Sequence, residues 1–246
     1  MAEFVEQDLR GSRFHHVDLS GSRFRDVGLR DVKIADSHVD GLDISGYVDS
    51  LVVNGVEVAG YVEEELNRRH PERAMLRPES AQVARDAWSM VQERAAATLE
   101  RARALPPALL DASVDEEFSY LETLRHLVFA VDRWITGPVL GEVPWFHPLG
   151  VAYDGASDEE LAGLDPDAHP TIDEVLAVRA DRASRVTAVL AGATDEDVAR
   201  VVDSPNGGTA TVLQCVGVVL REEWQHDQYA VRDLAVLEAQ AEAQPD

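Results

Sequence analysis

Cysteine is almost absent from this sequence: Cys215 is the only one in 246 residues. A single cysteine allows neither an intrachain disulfide nor a zinc site built from cysteines, and it agrees with a reducing compartment. Basic residues are also scarce, with 22 lysines and arginines against 46 aspartates and glutamates, so the net charge is −24. Such a charge repels nucleic-acid phosphates and anionic lipid surfaces. We therefore expect neither nucleic acid nor a membrane as a partner.

Long apolar runs are missing as well. No apolar stretch reaches the roughly 18 residues of a membrane-spanning helix. The N-terminal residues MAEFVEQDLR contain neither the basic patch nor the apolar run of a signal peptide. We therefore expect a cytoplasmic protein. With 45% apolar residues the chain can bury a substantial core, as one large domain or as a compact domain with a smaller module.

A bulky apolar residue returns at every fifth position near the N-terminus: Phe4, Leu9, Phe14, Leu19, Phe24, Leu29, Ile34, Val39 and Ile44. This period fits neither a helix nor a strand, so the chain has to turn every five residues, as solenoids do. The stretch over about residues 2–46 resembles the pentapeptide-repeat family. The resemblance implies a short, right-handed, four-sided parallel β-helix over residues 1–46, which would need a neighbouring structure to cover it.

Residues 47–78 are predicted to supply that cover and a linker. Two β-rich runs flank Asn54-Gly55, which is a strong signal for a β-hairpin, and an acidic helix is predicted over about residues 60–69. Beyond Pro78 the apolar residues follow a helical period. Helices are predicted over residues 79–104, 115–136, 171–191 and about 209–240.

The connection over residues 137–170 is long enough to predict a functional or lid-like loop. Thr171 and Glu174 have the spacing of a capping box at the start of the third helix. Four long helices with one long crossover are typical of a four-helix bundle, which we place at residues 79–240, followed by a disordered tail at 241–246. The predicted fold class is therefore α with a small β annex.

One stripe of the fourth helix consists of Cys215, Val219, Glu222, His226, Tyr229 and Asp233. Midway along this stripe, polar residues replace apolar ones. Glu222 and His226 are four residues apart and share a helix face, so both can reach a single ion. The neighbouring Glu223 is the rival acid. A third ligand has to come from another helix, and His126 is the only histidine on the other three predicted helices. Without a third ligand, Glu222 and His226 would be a solvated pair.

One histidine on the second helix and Glu-x-x-x-His on the fourth resemble the DinB-like superfamily of metal-binding bundles, over about residues 79–240. The segment REEWQHDQYAVRDL is similar to the fourth helix of actinobacterial members. More narrowly, the pattern resembles the thiol-dependent branch, of the mycothiol-dependent maleylpyruvate isomerase type. The resemblance implies that His126, Glu222 and His226 hold a divalent metal, most readily zinc, with nickel or iron as alternatives. Glu222 takes the place of one histidine in the superfamily's common three-histidine pattern.

Three protein ligands leave a position open for water or a thiolate. The resemblance implies isomerase or transferase chemistry on a small molecule, with a low-molecular-weight thiol such as mycothiol as cofactor. Water in the same position would support hydrolysis instead, with Asp227, Glu223 or Asp233 as candidate bases.

Three further residues are candidates for contact with the cofactor or substrate: Trp224, Tyr229 and His147. For the two aromatic residues the alternative is a place in the core or at its rim. The alternative for the whole chain is a non-catalytic binding or interaction protein with a vestigial metal site. The sequence does not decide between a monomer and a homodimer.

Overall fold

A computed structural model describes residues 4–5, 7–24, 27–46, 48–143, 145–153 and 155–243. The chain divides into two units, Met1–Ile44 and Ser45–Asp246. The described residues of the second unit are mostly helical, with two small two-stranded sheets. The mostly helical fold class with a small β part is therefore confirmed.

The first unit departs from the prediction, because its described residues contain turns but no strand, and no closed β-helix is seen. The turns are local: the Ser12 amide donates to the Leu9 carbonyl at 3.1 Å, and the Ser22 amide donates to the Leu19 carbonyl at 3.0 Å. The apolar side chains of the five-residue repeat stay exposed, from 42% at Leu9 to 66% at Ile34. The physical reason is length, since a solenoid buries its apolar face only by stacking several repeats.

The β-hairpin predicted around Asn54-Gly55 is present. β1 (Val52–Val53) pairs antiparallel with β2 (Val56–Glu57), with Val53 opposite Val56. Asn54 and Gly55 have φ angles of 49° and 85°, and two positive φ angles are what a type I′ hairpin turn requires. The hairpin's predicted role as a cover for residues 1–46 stays a prediction.

Eight helices of four or more residues follow in chain order within the described residues, besides a 3₁₀ helix (Pro71–Leu76) and a π-helical turn (Asp132–Thr136) that extends the fourth of them. They are α1 (Ala59–Arg69), α2 (Ala81–Arg103), α3 (Pro107–Leu110), α4 (Tyr120–Val131), α5 (Asp158–Leu161), α6 (Ile172–Leu190), α7 (Asp195–Val198) and α8 (Val212–Ala243). Strands β3 (Val201–Asp203) and β4 (Thr209–Thr211) form an antiparallel pair directly before α8.

The four long helices α2, α4, α6 and α8 form a closed ring of contacts, in which α2 and α4 each pack against both α6 and α8. The core of this ring is mostly apolar. The stripe of the second long helix, α4 with its π-helical turn, is buried as its period indicates: Leu121, Leu124, Val128, Val131 and Ile135. No helix in the described part of the chain is both long and apolar enough to cross a bilayer.

The ends of two long helices differ from the predicted bounds. Residues 209–211 belong to β4 rather than to the last helix, because they pair with β3. At the other end α8 continues to Ala243, so residues 241–243 are helical and not part of a disordered tail. Alanine, glutamate and glutamine favour helix there. Residues 244–246 of the predicted tail lie outside the described residues.

The start of α4 is set by a complete capping box. The Glu122 amide donates to Ser119 Oγ at 3.2 Å, and the Ser119 amide donates to the Glu122 carboxylate at 2.8 Å. Because Ser119 is only 2% exposed, water cannot easily replace the lost hydroxyl. We expect Ser119→Ala to lower the free energy of unfolding by about 1 kcal/mol, measured by urea denaturation.

The matched control for that variant is Ser157→Ala. Ser157 caps the four-residue α5 through the same kind of box but is exposed to solvent. Its loss should have a smaller effect, because water can satisfy the freed amide and little helix depends on it. Equal effects of the two substitutions would contradict a special role for the cap of α4.

Candidate metal centre

Helices α4 and α8 bring His126, Glu222 and His226 together, with candidate ligand atoms that all lie within 4.8 Å of one another. Glu222 Oε2 lies 3.6 Å from His126 Nε2 and 3.3 Å from His226 Nε2. Two donors that are each about 2.1 Å from one tetrahedral ion lie about 3.4 Å apart. The donor set and its spacing therefore fit a single divalent ion, and the three residues are those that the family resemblance implied.

The cluster is largely closed to solvent: the side chains of His126, Glu222 and His226 are 8%, 22% and 15% exposed. Burial raises the pKa of Glu222, but the two imidazoles beside it lower that pKa more, to about 2. The carboxylate is therefore ionised at neutral pH, which is the form that binds a metal.

The second ring nitrogen of His126 has its own partner. Nδ1 lies 3.1 Å from the carbonyl oxygen of Val151, in the long connection between α4 and α6. A carbonyl can only accept, so Nδ1 carries the proton, and Nε2 is the nitrogen left to bind an ion beside Glu222 and His226. Histidines that bind metals commonly have such a partner on the other nitrogen.

Aromatic rings surround the two histidines. The Phe118 and Phe129 rings lie 5.5 Å and 6.1 Å from the His126 ring, and Tyr229 meets the His226 ring edge-on at 5.8 Å. The structure thus places Tyr229 beside the cluster. The sequence pattern did not identify Phe118 and Phe129 as neighbours of the site. The helical period could have indicated Phe129, which lies one turn after His126. Phe118 precedes the helix, so the period gave no signal for it.

Trp224 and His147 have other neighbours. The buried Trp224 ring lies 5.6 Å from His70, and the Arg73 guanidinium lies 5.4 Å from its centroid. The His147 amide donates to Asp132 Oδ2 at 2.9 Å. Burial lowers the pKa of His147, as does the charge of Arg182, and both effects favour the neutral form of its imidazole. These contacts are structural, and the predicted role of both residues in cofactor binding stays a prediction.

Glu223, the rival acid, faces a different helix. Its carboxylate accepts two hydrogen bonds from Arg179 of α6, at 2.7 and 2.8 Å, and its side chain is only 1% exposed. The i,i+4 acid Glu222 therefore joins the cluster, and Glu223 forms a buried ion pair. As a base, Glu223 would first have to leave Arg179.

The other two candidate bases are also paired with cations. Asp227 accepts hydrogen bonds from Thr98 Oγ1 at 2.5 Å and from Arg94 Nε at 3.1 Å. Asp233 accepts from Arg232 Nε at 2.7 Å. Neither carboxylate belongs to the three-residue cluster. Their catalytic role stays a prediction.

A protein-family model described as the DinB superfamily matches residues 63–230. The match includes all three residues of the cluster and begins after the N-terminal repeats, so it provides no support for a pentapeptide-repeat segment. No curated protein and no solved structure matches the chain significantly.

Proposed function

The chain belongs to the DinB superfamily, and from that premise we propose that it is a metal-dependent enzyme with one divalent ion on His126, Glu222 and His226. The observation that supports this proposal is the buried His–Glu–His cluster, in which Glu222 Oε2 lies 3.3 and 3.6 Å from the two Nε2 atoms. Two imidazoles and one carboxylate suit zinc, nickel and iron, of which zinc is our first choice. Three protein ligands leave at least one position for an exogenous ligand.

The exogenous ligand that we propose is a low-molecular-weight thiol such as mycothiol. The chain's own thiol, Cys215, is 0% exposed, and burial raises its pKa to about 11, so it cannot serve as the nucleophile. The bound metal would supply Lewis-acid chemistry that lowers the pKa of such a thiol. The proposal thus places the protein in the thiol-dependent branch of the superfamily, with transfer or isomerisation of a small molecule as the reaction.

The protein's own residues divide the remaining tasks. His126 and His226 would contribute nitrogen donors to the ion, and Glu222 would contribute a negative charge that offsets part of the charge of the ion. Phe118 and Tyr229 would exclude water and contact the apolar part of a substrate. The three candidate bases for hydrolysis, Glu223, Asp227 and Asp233, are all paired with arginines. Their pairing favours thiol chemistry over hydrolysis.

The test is to load the protein with Co²⁺ and titrate mycothiol. We expect a thiolate-to-cobalt charge-transfer band in the near ultraviolet that saturates at about one thiol per protein, because one coordination position accepts the sulfur. The S-methylated thiol, which cannot form a thiolate, should give no band. His126→Ala combined with His226→Ala should also give none.

Other outcomes would replace the proposal with its alternatives. A protein that binds cobalt without producing the band, but hydrolyses small esters or amides, would be a metal-dependent hydrolase. A protein that binds cobalt but shows neither behaviour would be a binding protein with a vestigial site. A protein that binds no metal would contradict the proposal as a whole.

A further inference from the structure

Arg125, the residue before the ligand His126, holds the loop that touches His126. Its Nε donates to the carbonyl of Leu149 at 2.9 Å. Its own carbonyl accepts from the Val151 amide at 3.3 Å. The carbonyl of Val151 then accepts from His126 Nδ1 at 3.1 Å. Three contacts thus fasten residues 149–151 to a single turn of α4.

The same loop has a second anchor on the π-helical turn that follows α4. The His147 amide donates to Asp132 Oδ2 at 2.9 Å, and the Gly150 amide closes a turn onto the His147 carbonyl at 2.8 Å. Packing at Gly150 is tight, since a Cβ there would lie 3.1 Å from Leu164 Cδ2 and 3.4 Å from Phe129 Cβ. The loop is therefore held at both ends, and Arg125 is the side chain that holds the end next to the metal cluster.

The position of the Val151 carbonyl decides what His126 can do. An imidazole without a fixed acceptor exchanges its proton between the two nitrogens and can turn about its χ2 angle. Either change would leave Nε2 protonated or turned away from Glu222 and His226, so that it could not bind the ion. A carbonyl fixed beside Nδ1 prevents this, and such outer partners are known to influence metal affinity strongly.

We propose that Arg125 is a positioning residue for His126. By fixing residues 149–151 it keeps the Val151 carbonyl beside Nδ1 and so leaves Nε2 free for the ion. Arg125 itself need not touch the metal or the substrate. This inference rests on the proposed metal site and extends it to the residue that prepares one ligand.

The test begins with Arg125→Met, which retains an apolar stem but removes the donor to Leu149. We expect its Zn²⁺ affinity to fall about 10- to 100-fold, as is typical when an outer partner of a ligand is lost. Arg125→Lys keeps one donor and should recover most of the affinity. Competition with a chromophoric chelator measures the dissociation constants.

Arg85→Met is the matched control. Arg85 of α2 also donates to backbone carbonyls, those of Leu190 and Ala193 at 3.2 and 2.9 Å, but its contacts lie outside the cluster. Its Zn²⁺ affinity should equal that of the wild type. A similar loss in Arg85→Met and Arg125→Met would mean that the effect is general destabilisation, and would overturn the inference.

A second readout does not depend on metal. Nitrogen-15 NMR of the metal-free wild type should show a proton on His126 Nδ1 that is hydrogen-bonded and protected from exchange with water, and Arg125→Met should lose that protection. If both the Nδ1 proton and the Zn²⁺ affinity of Arg125→Met match the wild type, the inference is wrong. If the wild type binds no metal, the proposed function fails, while the Nδ1 comparison still decides the role of Arg125. Should Arg125→Met fail to fold, Arg125→Leu, which also lacks a donor, replaces it in both measurements.

Discussion

Replacing His226 with alanine is expected to abolish tight binding of Zn²⁺. The variant keeps only His126 and Glu222, which come from different helices, whereas the wild type adds a donor 3.3 Å from Glu222 Oε2. Loss of an outer partner of a ligand lowers metal affinity roughly 10- to 100-fold, so loss of a ligand itself should exceed that range. Calorimetric titration, with chelator competition for the wild type, measures both affinities.

His169→Ala is the control for this prediction, because His169 is an exposed loop histidine outside the cluster. It should bind Zn²⁺ as the wild type does. Glu222→Gln keeps the size of the side chain but removes its charge, so we expect an affinity between those of the wild type and His226→Ala. A His226→Ala protein with wild-type affinity would show that the metal binds elsewhere.

Breaking the buried ion pair between Arg179 and Glu223 is expected to have the largest effect on stability. The two side chains are 9% and 1% exposed and share two hydrogen bonds of 2.7 and 2.8 Å. Glu223→Gln leaves the guanidinium of Arg179 buried without a counter-charge. We expect the free energy of unfolding to fall by about 3–5 kcal/mol, measured by urea denaturation of the metal-free protein.

Two comparisons separate the charge effect from a packing effect. The double variant Arg179→Met, Glu223→Leu removes both charges and should recover much of the lost stability, since neither ion then has to be desolvated. Glu65→Gln breaks ion pairs with Arg68 and Arg69 on the surface of α1 and should leave stability nearly unchanged. A Glu223→Gln protein as stable as Glu65→Gln would contradict the importance of the buried pair.

The sequence predicts well those features that depend on local periods and local turn chemistry. The four long helices follow from apolar stripes, and the hairpin follows from Asn54-Gly55, because both signals act over a few residues. Glu222 and His226 share a face for the same reason. His126 required the family resemblance, since its helix neighbours Glu122 and Arg133 do not indicate that it is buried.

Features that depend on distant parts of the chain could not be predicted in the same way. The burial of His126 is completed by a loop that returns to α4, and Val151 lies 25 residues away in the sequence. Helical spacing alone could not show that Glu223 would meet Arg179 on α6. The five-residue repeat indicates where the N-terminal segment turns, but closure of a β-helix depends on stacked neighbours, which a short segment lacks.

The most direct test of the metal site is elemental analysis of the protein purified without a metal-affinity tag. The His126→Ala, His226→Ala double variant serves as the comparison, with its fold checked by circular dichroism. We predict about one equivalent of a transition metal in the wild type and none in the folded double variant. A wild-type protein that retains no metal, even after incubation with zinc, nickel or iron, would contradict the assignment of His126, Glu222 and His226 as a metal site.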